Sequence, residues 1–201
     1  MKLTQDIQPR GMYSAYVESP FDIGKKDLEK AGYKIISLEE NTLLRIKEGK
    51  DSFVSKNGNY TREGFIYNPQ TKLWYLTNKS PIMENPVKAT NAHRKGKEYY
   101  LTDNQVQASL EGSVEVTNES IPTNRFGEEC LTIYAFGDNA KDYGLFLQDA
   151  GIEKMPIWLS NSREKPFARQ MWFSGLDYLS VLFGNGRFLD CDYWLRGVRD
   201  A

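Results

Sequence analysis

Ser174 to Leu195 reads SGLDYLSVLFGNGRFLDCDYWL, and neither a helical period nor strict strand alternation runs through it. Leu176, Leu179, Leu182 and Leu189 punctuate a background of Gly, Ser, Asp, Asn and aromatic residues, the pattern of a few anchors holding down a looping surface. Lys, Glu, Gln and Met total 43 in the chain, yet these 22 residues contain none. About five would fall there at the frequency of the remainder. A buried segment would also avoid Lys, Glu and Gln, so the absence has two readings, burial or a surface written in a restricted alphabet.

Working outward, Met155 to Ser160 and Met171-Trp172-Phe173 read as strands joined by the polar loop Asn161 to Lys165, with Trp158 and Trp172 as core. Cys130 to Phe136 alternates and reads as another strand. Asp138 then caps a helix in which Ala140, Tyr143, Phe146, Leu147 and Ala150 share a core-facing stripe, closed by Gly151. Earlier, Phe65-Ile66-Tyr67 and Leu73 to Leu76 form a hairpin around Asn68 to Lys72. Ser37-Leu38-Glu39-Glu40 is a capping box that opens a helix towards Lys47, closed by Gly49. Gly11 to Val17 reads as a strand ended by Ser19-Pro20, Lys25 to Ala31 as a short helix, and Tyr33 to Ile36 as a strand. Glu98 to Leu101 reads as a further strand, and Asp103 as the cap of a helix through Leu110. Together these predict an α+β fold.

At 201 residues the chain suits one domain with a sizeable core. Its 27 acidic and 26 basic residues leave no field to hold nucleic acid or an anionic membrane, so any partner is recognised locally. Cys130 and Cys191 form no C-x-x-C motif, and no apolar run is long enough to span a membrane or to serve as a signal peptide. The expected location is the cytoplasm, or a particle or surface to which another component carries the chain. His93, the single histidine, excludes three-histidine zinc sites; lying in Asn91-Ala92-His93-Arg94-Lys95-Gly96-Lys97, it is expected in a solvated loop. The residues suggest no catalytic group, metal or cofactor.

Arg169-Gln170-Met171-Trp172-Phe173, the spaced leucines, Gly184-x-Gly186-Arg187 and the terminal Arg196-Gly197-Val198-Arg199-Asp200 resemble the variable proteins of diversity-generating retroelements, particularly the archaeal ones. The terminal Arg-Gly-Val is also similar to that of phage major tropism determinants. The resemblance implies a C-type-lectin-like fold with additional N-terminal strands and helices, one domain over 1–201, and a variable region at about 169–199. In such proteins adenine-directed mutagenesis swaps side chains on a fixed backbone. Codons of any two bases followed by a pyrimidine encode no Lys, Glu, Gln, Met or Trp, which implies that Trp194 is scaffold; Leu176, Leu182, Leu189, Arg187 and Arg196 are implied to be scaffold as well.

The ligand-binding residues so implied are Ser174, Gly175, Asp177, Tyr178, Leu179, Val181, Phe183, Asn185, Gly186, Phe188, Asp190, Cys191, Asp192 and Tyr193, on one exposed face. Leu176, Leu182, Leu189 and Trp194 are expected beneath it. Large rigid aromatics beside short polar groups suit an unknown macromolecular ligand, a protein foremost, as in antibody paratopes. The fold also implies that the first and last strands pair, Gly11 to Val17 beside Leu195 to Arg199.

Other readings share the fold. Calcium-dependent lectins use Glu-Pro-Asn or Gln-Pro-Asp; neither occurs, Glu84-Asn85-Pro86 has the wrong order, and Asp177, Asp190, Asp192 and Asp200 stay open as scattered ligands. Formylglycine-generating oxidases resemble the same scaffold but use a close cysteine pair, which Cys130 and Cys191 lack in sequence. A structural surface or virion component is the remaining alternative.

Overall fold

A computed structural model describes residues 3–5, 12–160, 162–186 and 188–200. Gly11, Asn161 and Arg187, which figure in the expectations above, lie outside the described residues, as do Met1 and Lys2.

The strands are β1 (Thr4–Gln5), β2 (Met12–Ser19), β3 (Lys34–Ile35), β4 (Asn59–Asn68), β5 (Leu73–Thr77), β6 (Tyr99–Tyr100), β7 (Val114–Glu115), β8 (Ser120–Pro122), β9 (Lys154–Leu159), β10 (Phe167–Phe173), β11 (Leu182–Gly184) and β12 (Tyr193–Asp200). The helices are α1 (Phe21–Lys30), α2 (Leu38–Glu48), α3 (Phe53–Lys56), α4 (Pro81–Glu84), α5 (Pro86–Arg94), α6 (Asp103–Leu110), α7 (Cys130–Phe136) and α8 (Ala140–Asp149). The sheet runs β1-β2-β12-β4-β10-β11-β9-β8, with β3 on β12, β5 on β4 and β6 on β10.

The first long strand and the last one pair antiparallel along their whole length, Val17 opposite Leu195 and Tyr13 opposite Arg199, as the resemblance implies. The hairpin also forms, Tyr67 opposite Trp74. Ser37 caps α2 as expected: its hydroxyl accepts from the Glu40 N–H while the Glu40 carboxylate accepts from the Ser37 N–H. On α6 the cap is Thr102, one residue before the expected Asp103, with Gln105 closing the box.

β4 and β10 are central and buried on both faces. Phe65, Tyr67, Phe167, Met171 and Phe173 join a core completed by α7 and α8, whereas Tyr60, Ile66 and Ala168 join a second core under α1 and α5. Strands covered on both sides read as continuous apolar runs, which is how Phe65-Ile66-Tyr67 stands in the sequence.

Three expectations about the elements fail. Asp138 does not cap α8: it lies in the 3-10 turn Gly137–Asn139, and the helix starts at Ala140 behind Asn139 with no side-chain capping hydrogen bond. Cys130–Phe136 is helical, not extended. Leu131, Thr132, Ala135 and Phe136 are buried at helical spacing, and the Thr132 hydroxyl donates to the Glu129 carbonyl within its own turn, so packing overrides the β-propensity of its β-branched and aromatic residues. His93 is not in a solvated loop: it lies in α5, 4% exposed, on the face shared with Ala89 and Thr90, while the basic residues beside it point outward.

Candidate ligand-binding face

Between β10 and β12 the chain makes two excursions, separated by the short strand β11. In the first, the Ser174 N–H donates to the Val181 carbonyl (3.0 Å), and Tyr178 and Ser180 N–H groups both donate to the Gly175 carbonyl (3.1 Å each). The Ser174 hydroxyl accepts from the Val181 N–H (2.6 Å) and donates to the Tyr178 carbonyl (3.1 Å). Leu179 and Ser180 adopt left-handed backbone with φ of 58° and 55°. Non-glycine residues there cost on the order of 1 kcal/mol each, so the surroundings must enforce the shape.

Arg45 supplies that enforcement. Fully buried on α2, its guanidinium donates to the Ser174 carbonyl (2.9 Å), the Ser180 hydroxyl (3.0 Å) and the Tyr143 hydroxyl (3.0 Å), and lies 4.0 Å from the Phe173 ring centre. Burial lowers its pKa from the ordinary arginine value, yet the group stays a cation. Two further ties hold the second excursion: Arg169, buried against Glu98 (2.7 Å), donates to the Gly186 carbonyl (3.0 Å), and the Phe21 N–H donates to the Leu189 carbonyl (2.8 Å). The two buried arginines and the Phe21 amide thus grip this segment by backbone groups and the small Ser180 hydroxyl. Leu182 and Leu189 plug it into the core from below.

The resulting side chains sort plainly. Asp177, Tyr178 (71%), Leu179, Asn185, Phe188, Cys191, Asp192 and Tyr193 are exposed; Phe183, Gly186 and Asp190 are half-buried. Ser174, Gly175 and Val181, expected outward, are buried. Ser174 and Val181 close the hydrogen-bonded loop just described, and a Cβ on Gly175 would stand 2.0 Å from the Lys56 carbonyl oxygen, so only glycine fits that approach. Leu176 and Trp194, expected beneath the face, are half-buried.

An open concavity of about 510 Å³ occupies the middle of the face. Tyr178, Phe183, Phe188 and Tyr193 line it, together with residues the sequence reading assigned elsewhere: Trp158, Trp172, Tyr60, Trp194 and Lys56-Asn57-Gly58. Its rings form an unbroken series. Tyr60–Trp172 (5.1 Å), Trp172–Tyr193 (5.1 Å), Tyr193–Phe188 (5.7 Å), Phe188–Phe183 (6.4 Å) and Phe183–Trp158 (5.9 Å) are successive centroid contacts, each within the range of favourable ring pairs. Two further depressions, of about 350 and 630 Å³, meet at Asn185; the first shares Phe183 and Phe188 with the concavity and the second shares Trp158, so the face extends beyond a single hole.

Trp158 corrects an expectation, being 49% exposed and not core. In β9, Met155 and Ile157 point inward, so strand alternation turns Trp158 out; that period was present in the sequence. No local signal in the sequence marks Lys56-Asn57-Gly58, which reaches the concavity through α3.

The thiols of Cys130 and Cys191 are free and exposed, and burial together with Asp190 and Asp192 raises the Cys191 pKa. Among the described residues no His, Cys, Asp and Glu side chains gather in a group able to hold a metal ion, and no helix is long and apolar enough to cross a membrane.

No protein-family model matches the chain, and no curated protein is significantly similar to it. A solved structure described as the accommodation of massive sequence variation in Nanoarchaeota by the C-type lectin fold superposes with a TM-score of 0.70, covering 98% of this chain and 100% of its own at 17% identity. The chain therefore has the C-type-lectin fold, in an α+β form with additional N-terminal strands and helices.

Proposed function

We propose that this chain is a non-enzymatic binding protein that presents a diversified surface, as the variable proteins of archaeal diversity-generating retroelements do, and that it works as one domain with its variable region at about 169–199. The observation that carries this reading is the way the segment is held. Arg45, Arg169 and the Phe21 amide grip main-chain oxygens and one serine hydroxyl, and the leucines plug in from below, so the side chains of Asp177, Tyr178, Leu179, Asn185, Phe188 and Asp190 to Tyr193 can change without touching the ties. The missing Lys, Glu, Gln and Met then follow from pyrimidine-ended codons and not from burial, since much of the segment is exposed. The partner is a macromolecule, a protein foremost: a face of connected shallow depressions suits an interface of ~800 Å² per side better than it suits a small metabolite in a deep pocket.

The test has two arms. A library restricted to pyrimidine-ended codons at those exposed positions should yield mostly folded, soluble members, from which binders to unrelated proteins can be selected. The DNA beside the gene should carry a reverse transcriptase and an imperfect repeat of its 3′ end. A library that is mostly unfolded would sink the binding-surface reading, and absence of both genetic elements would remove the retroelement.

A further inference from the structure

The depression of about 630 Å³ lies where a strand ladder stops short. β8 runs antiparallel to β9 from Pro122 opposite Lys154 to Ser120 opposite Pro156, and one more bond follows, from the Ile157 N–H to the Glu119 carbonyl (2.7 Å). The chain before Glu119 serves another branch of the sheet: the Val116 N–H donates to the Trp74 carbonyl (2.8 Å), and β7 pairs with β5. β9 meanwhile continues to Leu159, held on its other edge by β11, with Gly184 opposite Leu159. Alternate residues of a strand turn their N–H and C=O groups to the same edge, so Leu159 presents its pair where Ile157 meets Glu119. Among the described residues no backbone bond carries the ladder on from Leu159 to Thr117.

A second, independent observation points into the same cleft. Ser160 lines it and is 8% exposed, and among the described residues its hydroxyl has no hydrogen-bond partner. Buried hydroxyls without a partner are costly, and most such groups find one. The rest of the lining is mixed: Trp74 and Ile157 are buried and apolar, whereas Asn118, Trp158 and Asn185 are exposed. An aliphatic group entering here would leave the Leu159 main chain and the Ser160 hydroxyl unpaired. A peptide main chain brings donors and acceptors at the spacing of a strand, with alternate side chains for the apolar lining and for the open side.

We infer that an extended segment of a protein partner adds to the open edge of β9 along Trp158–Ser160, exchanging hydrogen bonds with the Leu159 main chain and the Ser160 hydroxyl and packing alternate side chains on Trp74 and Ile157. Of the cleft's lining only Asn185 belongs to the segment proposed to vary. The edge is thus a constant contact beside that face, and it stands whether or not the face is diversified.

The probe is a linear ten-residue peptide, the strongest binder selected from a random display library against the intact chain, titrated as a synthetic peptide and followed by amide chemical shifts and hydrogen exchange. Two copies carry N-methyl groups on alternate residues, one copy in each register. The peptide should shift the Leu159 and Ser160 amides saturably and slow exchange at Leu159. One methylated register should bind roughly tenfold more weakly and the other about as well as the parent, because only every second N–H faces β9. Ser160→Ala should weaken the peptide several-fold and leave Tm unchanged or higher, since it removes an unpaired buried hydroxyl. The Tyr178→Ala, Phe188→Ala variant should bind the peptide as the parent does. Equal effects of the two registers, shifts confined to other surfaces, or failure to select any peptide would overturn the inference. A fall in Tm for Ser160→Ala would do so too, by showing that the hydroxyl is used within the fold. Binding lost with Tyr178→Ala, Phe188→Ala but kept with Ser160→Ala would overturn the edge and support the diversified face instead.

Discussion

β10 and the excursions that follow it are consecutive in the chain and are built in opposite ways. In β10 the side chains carry the structure: the Gln170 amide donates to the Glu63 carbonyl (2.8 Å) and accepts from the Ser80 hydroxyl (2.9 Å), Arg169 pairs with Glu98, and Phe167, Met171 and Phe173 fill one core. From Leu176 to Tyr193 the main chain carries it, through its own hydrogen bonds and the ties from Arg45, Arg169 and Phe21, while eight of the 17 described residues are exposed. Side-chain identity is bound to folding in the first region and largely released from it in the second.

Breaking the ties should therefore cost far more than changing what they hold. Arg45→Met leaves the Tyr143 and Ser180 hydroxyls and the Ser174 carbonyl without their buried donor, and releases the left-handed turn. A loss of ~3–5 kcal/mol is expected, lowering Tm by roughly ten degrees. A fall of only a degree or two in thermal denaturation would mean that the turn holds itself.

The framework should also carry a pH dependence. Burial of Glu63, whose carboxylate accepts from the Leu38 N–H at the start of α2, raises its pKa to about 7. The folded state thus holds a proton that the unfolded chain releases near the ordinary value of 4.5. Its contribution is full below that value and declines as pH rises through about 7, a loss of about 3 kcal/mol. Glu63→Gln should flatten the stability profile between pH ~4.5 and ~7.5 and should leave the variant more stable than the parent at the alkaline end. An unchanged slope would show that another group is responsible.

Trp158 sharpens the boundary. Half-exposed on β9 yet in contact with Phe183, it should lose only ~1 kcal/mol as Trp158→Ala, against ~2–5 kcal/mol for Leu182→Ala on the paired strand. Equal losses in chemical denaturation would place Trp158 in the framework.

How much of this was legible depended on whether the signal was local. The capping box at Ser37, the hairpin over Asn68 and the exposed Tyr178 could be read from neighbours in sequence, because turns, caps and composition act over a few residues. Cys130–Phe136 could not: its composition favours a strand, and only packing in the core against Phe126 and α8 makes it helical. The turn-like surroundings of His93 likewise hid a buried helical position. Arg45 is the clearest loss, since its partners stand 98 to 135 residues away and nothing near it in the chain distinguishes it from a surface helix arginine.

The most direct measurement is the thermal stability of one combined variant of the released region, Tyr178→Asn, Asp190→Ser, Cys191→Ser and Asp192→Asn, beside Arg45→Met. If the backbone and its ties hold this face, the fourfold variant should unfold cooperatively within ~2–4 °C of the parent, a change of about 1 kcal/mol, and well above Arg45→Met. A fall as large as that of Arg45→Met, or loss of the cooperative transition, would show that these side chains belong to the fold and would contradict the account.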